Sequence, residues 1–154
     1  MNDFEPFDDK LSALIAALSP TARRKMAADI AKTLRTRQQR RIKTQKAPDG
    51  TPYAARKRQP VKAKKGRVKR EMFAKLRTSR FMKATAGNDA AVVEFTGKVQ
   101  RMVQVHHYGL KDKPGRNCRL VKYEQRQLLG FNTNEIRLIE DIVVSELIDN
   151  KLFK

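Results

Sequence analysis

The sequence predicts an α+β fold. N-terminal helices and a C-terminal helix pack on a small antiparallel sheet, and a long basic arm interrupts them. Three observations predict this. Apolar residues recur at three- and four-residue steps near both ends of the chain. Two short strand-like runs flank Gly87-Asn88-Asp89 in the middle. Between them and the first helices, Lys46 to Arg70 carries ten Lys or Arg, three prolines and one acid, Asp49. Like charges repel and proline blocks helix continuation, so this stretch reads as an extended loop at about 46–70 of a single domain spanning 1–154.

The elements follow in order. Phe7-Asp8-Asp9 places acids at a helix entry, where the helix dipole favours them. Leu11, Leu14, Ile15 and Leu18 then form one apolar face. Ser19 can cap and Pro20 suits a first helical turn, so a second helix is expected from about Pro20 to about Gln45. Its apolar stripe is Met26, Ala27, Ile30, Ala31 and Leu34, and beyond Leu34 only Ile42 continues it. The second half of this helix is therefore expected to project from the core and to carry its charges toward a partner.

Pro48-Asp49-Gly50-Thr51-Pro52 signals a turn. Glu71 to Leu76 reads as a helical turn with Met72, Phe73 and Leu76 inward. Ser79–Thr85 and Ala91–Thr96 read as a hairpin. Lys98–His107 fits either a helix face (Val99, Met102, Val103, His106) or a strand (Val103, Val105). The helix is preferred, with Gly109 as its C-cap. Lys111–Arg119 reads as a polar loop and Val121–Leu129 as a strand. Asn132 with Glu135 three residues on resembles a capping box. It opens a last helix with Ile136, Ile139, Val143 and Leu147 inward, and Leu138 and Ile142 beside them.

Charge says more than composition does. The chain of 154 residues has a net charge of +19, and residues 21–80 hold 22 basic against 3 acidic side chains. The remainder is balanced at 13 of each. One contiguous region thus makes the whole excess, and such a field draws polyanions: nucleic acid, acidic protein surfaces or anionic lipid. No apolar run approaches the ~20 residues of a membrane span, so no membrane partner is expected. The acidic opening MNDFEPFDDK does not read as a secretory signal, which leaves the cytoplasm as the default compartment. One cysteine, Cys118, excludes an internal disulfide.

A search for chemistry finds no catalytic, metal or cofactor site. His106 and His107 are adjacent, so their side chains diverge on a helix or a strand, and no spaced Cys/His set accompanies them. Cys118 has no base arranged beside it. Tyr53 could stack on a nucleobase, but single-strand binders usually interleave several aromatics. A docking anchor is the simpler reading of it.

Four stretches then point to a family. They are PDGTPYAARKRQP (Pro48–Pro60), REMFAKLRTSRFMKAT (Arg70–Thr85), AVVEFTGKVQR (Ala91–Arg101) and VHHYGL (Val105–Leu110). Together with MNDFEPFDDKL and YEQRQLLGF (Tyr123–Phe131), they resemble the phage virion morphogenesis family, the tail completion proteins of temperate contractile-tailed phages. The resemblance spans nearly the whole chain. In the wider family a tryptophan often stands where this chain has Tyr53. Prolines there often flank the arginine matching Arg126, where this chain has Glu124 and Gln127.

The resemblance implies a structural protein, not an enzyme, with a fold like tail terminators and neck proteins. It implies a homo-oligomeric ring, a hexamer favoured, acting at the head-proximal end of the tail and enabling head–tail joining. Its partners would be tail tube or terminator proteins and head-completion or neck proteins, with contact to the DNA that passes. Its place would be the virion tail or neck, and the host cytoplasm during assembly. The candidate interface residues are Arg37, Arg40, Arg41, Tyr53, Arg56, Lys57, Arg58, Lys62, Lys64, Lys65 and Arg126. The alternative is a basic nucleic-acid-binding protein that uses the same field on phosphates.

Overall fold

The computed structural model describes residues 5–56 and 71–150. Its elements are α1 (Glu5–Ala16), α2 (Pro20–Lys43), β1 (Met82–Ala86), β2 (Ala91–Phe95), α3 (Gln100–Tyr108), β3 (Lys111–Asp112), β4 (Val121–Lys122) and α4 (Thr133–Asp149). Strands β1 and β2 pair as a hairpin, and β3 pairs antiparallel with β4. The class is α+β, as expected. The chain forms two compact units. One comprises the residues up to Arg35, Ala84–Val93 and the residues from Thr133. The other comprises Thr36–Lys83 and Glu94–Asn132.

The first unit is a helical core. Ser19 Oγ accepts the Ala22 N–H at 3.1 Å, so the short loop after α1 caps α2. Leu18, Met26, Ile30 and Leu34 are buried with Val143 and Leu147 of α4. Leu11, Leu14 and Ile15 of α1 and Ala91 and Val93 of β2 close over them. The tip of the hairpin is held by polar contacts, with Arg24 Nη2 donating to Asn88 Oδ1 at 3.0 Å.

Helix α4 differs from expectation at one residue. Ile136, placed inward by periodicity, is 50% exposed, while Glu135 and Glu146 are buried. The helix begins at Thr133, so Ile136 lies in its first turn and falls outside the apolar cluster that buries Val143 and Leu147.

The second unit is built around α3 and the last turns of α2. Ile42 is completely buried and Gln38 nearly so. The expectation that this half of α2 projects from the core is thus corrected. Its polar side chains are inward because backbone groups receive them: Gln38 Nε2 donates to Gly130 O at 3.1 Å, and Arg41 Nη2 donates to Leu128 O at 2.8 Å. Leu76, Met82, Phe95, Val103, Val105 and Leu128 are also buried in this unit.

Residues 100–108 are helical, which resolves the ambiguity of that stretch. Gly109 caps the helix in the left-handed region (φ 66°, ψ 49°) and donates its N–H to Val105 O. A Cβ there would also lie 2.9 Å from Gln125 N, so glycine is required twice over.

The strand expected over Val121–Leu129 shrinks to Val121–Lys122. The reason is competition. The end of α3 leaves carbonyls without partners. Tyr123 still continues the β3–β4 pairing, its N–H donating to Leu110 O at 3.0 Å, but beyond it the segment turns to that end instead of to a sheet, with Arg126 N donating to His106 O at 2.7 Å.

Glu146 generates a test of the first unit. Burial pushes its carboxyl up from the ordinary value, and a hydrogen bond with the Asp29 side chain adds to this, against the opposing pull of Lys25. A carboxyl with a raised folded-state pKa favours the fold while protonated, and that contribution is lost as pH rises. Glu146→Gln is expected to raise the melting temperature at about pH 7 and to leave it unchanged at about pH 4, below the ordinary value of 4.5. Equal melting temperatures at both pH values would show that Glu146 ionises without cost.

Candidate assembly interface at the root of the basic segment

Residues 46–53 are mostly exposed, as expected, but they are not extended. They fold back into a tight reversal. Ala47 N donates to Thr51 O at 2.8 Å, Gly50 N to Ala47 O at 2.9 Å, and Tyr53 N to Gln45 O at 2.8 Å. Lys46 and Pro52 form an antiparallel bridge. Gly50 takes φ 88°, which the turn needs and glycine supplies. The Asp49 carboxylate accepts the Thr51 N–H at 2.9 Å, and this bond holds its pKa below the usual carboxylate value.

This reversal delivers Tyr53 into the second unit. Tyr53 is 9% exposed, its ring meets Phe73 edge-on at 5.7 Å, and its hydroxyl donates to Gln127 O at 2.8 Å. Burial pushes the phenol up, and the nearby Arg41 opposes this. The aromatic contacts continue from Phe73 to His106 at 5.1 Å and from His106 to Tyr123 at 5.0 Å.

Arg126 closes the network. It is 7% exposed. Its Nε donates to Ala54 O at 2.8 Å and its Nη2 to Ala55 O at 3.2 Å. Gln45 does the same for the far side of the basic segment. Its amide donates to Met72 O at 2.9 Å and accepts Met72 N–H at 3.0 Å. Gln45 and Phe73 both hold positive φ, 59° and 66°. For a phenylalanine that backbone is strained, and its packing between Tyr53 and His106 compensates.

Of the eleven candidate interface residues, Tyr53 and Arg126 are thus engaged inside the chain. Arg41 is half-buried and bonded to Leu128 O and to Gln38 Oε1. Arg37 is half-buried, and Arg40 and Arg56 are exposed. Lys57, Arg58, Lys62, Lys64 and Lys65 lie outside the described residues. The sequence did not single out Gln38 or Gln45, and it placed Phe73 inward without giving it these partners. The one signal for Gln45 was its place just before the Pro48–Gly50 turn, which returns the chain to its level.

His106 and His107 diverge, as expected for neighbours. Burial lowers the pKa of both, with Arg126 adding to this at His106 and Arg41 at His107. His106 Nδ1 is buried with no hydrogen-bond partner among the described residues. His107 Nδ1 accepts the Leu128 N–H at 3.3 Å, so it works as a neutral ring. Among the described residues no group of three or more His, Cys, Asp or Glu side chains is placed to hold a metal ion, and no helix is long and apolar enough to cross a membrane.

The phage virion morphogenesis family matches residues 2–148. The chain belongs to this family. The Tail completion protein S of Escherichia phage P2 is 47% identical to it over 148 residues, covering 96% of this chain and 99% of that protein. No solved structure matches. The stretches that carried the resemblance include the parts of the network just described: the Pro48–Tyr53 reversal, Met72–Phe73, His106 and Arg126. In this family member Arg126 holds the carbonyls of Ala54 and Ala55, the neighbouring Gln127 carbonyl accepts the Tyr53 hydroxyl, and Gln45 holds Met72.

Two outcomes test the network. Arg126→Met keeps the stem and removes two charge-assisted bonds, each contributing roughly 1.5–3 kcal/mol. Proteolysis should then cut within Lys46–Arg56 sooner than in the wild type, and unchanged cleavage there would show that the reversal holds by itself. A histidine whose folded pKa is depressed contributes stability that is complete above its unfolded value and lost as pH falls. Melting temperature is therefore expected to fall below the ordinary histidine value of 6.5, and His107→Gln should flatten the slope. An unaltered slope in that variant would assign the acid sensitivity elsewhere.

Proposed function

We propose that this chain is a structural protein of a phage particle that completes the tail at its head-proximal end. The observation that carries this reading is the 47% identity to the Tail completion protein S of Escherichia phage P2 across nearly the full length of both chains. In the finer form of the proposal the subunit assembles as a homo-oligomeric ring, a hexamer favoured, as a terminator or neck component. The ring meets tail tube or terminator proteins on one side and head-completion proteins on the other. Such a protein is part of the virion tail and is made in the host cytoplasm. The role is mechanical, and no catalysis is assigned to it.

The basic segment has a physical part in this role. The described residues on either side of it are held, Ala54 and Ala55 by Arg126 and Met72 by Gln45. Where cations meet an acidic neighbour across an interface, they govern register and encounter rate. A second reading keeps the confined charge of residues 21–80 for the phosphates of DNA, with salt-dependent binding as its mark.

The test is Arg56→Ala, Lys57→Ala and Arg58→Ala together. Exposed charges contribute little to stability, so the melting temperature should change by no more than a few degrees, equivalent to about 0.5 kcal/mol per site. A phage carrying the triple change should accumulate filled heads and unjoined or over-long tails. Normal infectious particles would overturn the assembly role of this cluster. Normal tails with failed DNA transactions would install the nucleic-acid reading.

A further inference from the structure

Two exposed surfaces are left unused by the network above, and they are opposite in charge. The first is the outer face of α4. Ile136, Val144 and Ile148 are 50%, 36% and 58% exposed. They fall, with exposed Glu140, at four-residue steps along about 18 Å of helix. Exposed Asp141 and Asp149 stand nearby, and Arg137 is the one cation of the helix. The second surface is the β3–β4 hairpin of the other unit. Lys111, Lys113, Arg116, Arg119 and Lys122 are all exposed, and Asp112 is the one acid in that stretch. Asp112 is already engaged by Arg101 at 3.2 Å. At the base of the hairpin, Leu110 and Leu120 are 45% and 59% exposed.

The hairpin carries a cost that calls for a partner. Its register sets Lys111 directly opposite Lys122, and like charges facing one another across two strands destabilise the pair. An anion placed between them removes that repulsion. DNA phosphates would suit the cations but leave Leu110 and Leu120 without an apolar partner. A surface that mixes acids with exposed Ile and Val meets both needs, and α4 of the same sequence has that composition.

We propose that the α4 face of one subunit docks on the β3–β4 hairpin of a second copy of this chain. The apolar side chains Ile148 and Val144 cover Leu120 and Leu110, Glu140 and Asp141 face Arg116 and Arg119, and Asp149 faces the Lys111–Lys122 pair. The two patches differ, so the contact is heterologous, and repeated head to tail it generates a ring when the rotation closes. The inference rests on the ring form of the proposed function and supplies its contact.

The experiment is a charge exchange, read as oligomeric state by sedimentation velocity of the full chain at low salt. One variant is Glu140→Lys with Asp141→Lys, and the other is Arg116→Glu with Arg119→Glu. Each alone should weaken self-association at least about tenfold, because like charges then meet across the contact. An equimolar mixture should recover it, since each altered face finds its complement on the other variant and the unaltered faces still match. Recovery also shows that both variants are folded. A wild type that stays monomeric, single variants that associate normally, or a mixture that fails to recover would each overturn the proposal. Loss of salt-dependent DNA retention in the hairpin variant, with self-association intact, would overturn it in favour of a phosphate-binding hairpin. These readouts are independent of particle morphology, which tests the tail-completion reading itself.

Discussion

A buried guanidinium has to place its donors, and most of the second unit can be understood from how Arg126 does so. Its side chain is nearly sealed from water, so each unsatisfied N–H would be costly. It bonds the carbonyls of Ala54 and Ala55, while its own backbone N–H bonds the end of α3. One residue thereby joins a helix terminus, an irregular strand-like segment and the start of the basic stretch. The positions of Tyr53, Phe73 and His106 follow, because they pack around the junction this creates.

The parts of the fold that depend on apolar periodicity were legible in the sequence. Helix α2 begins at Pro20 behind the Ser19 cap, α3 ends at Gly109, and the β1–β2 hairpin turns at Gly87–Ala90. Each has a local cause that a reader of sequence can name. The second half of α2 was misread for the opposite reason. Gln38 and Arg41 are polar, and polarity suggests exposure, whereas carbonyls distant in sequence at Leu128 and Gly130 make them inward-facing. The long late strand failed in the same way, since the competing acceptor, His106 O, belongs to helix α3, distant in sequence from Arg126.

The candidate site was legible as residues but not as an arrangement. Tyr53 and Arg126 were singled out through the family resemblance and their place beside basic residues, and both were assigned outward. Nothing in the sequence pairs them, because 72 or so positions separate Arg126 from the carbonyls it holds. Gln45 carries no sign of its role in the sequence beyond its place before the turn, and Phe73 reads as inward but not as left-handed. A left-handed phenylalanine has no sequence signature, as its backbone is imposed by packing and not by propensity. The basic character of residues 21–80, by contrast, was complete in the sequence.

The paired bonds between Gln45 and Met72 have an evolutionary reading. The amide addresses main-chain atoms, which every amino acid except proline presents alike. Position 72 is therefore free to drift among non-proline residues as far as this bond is concerned, while position 45 is not. It must offer one donor and one acceptor at the same reach, a demand that glutamate and lysine each meet by half. Lineages that rebuild the basic stretch to suit a new neighbour can lengthen, shorten or recharge it between two such fixed posts. The posts, and not the stretch, are where its inheritance should be most conservative.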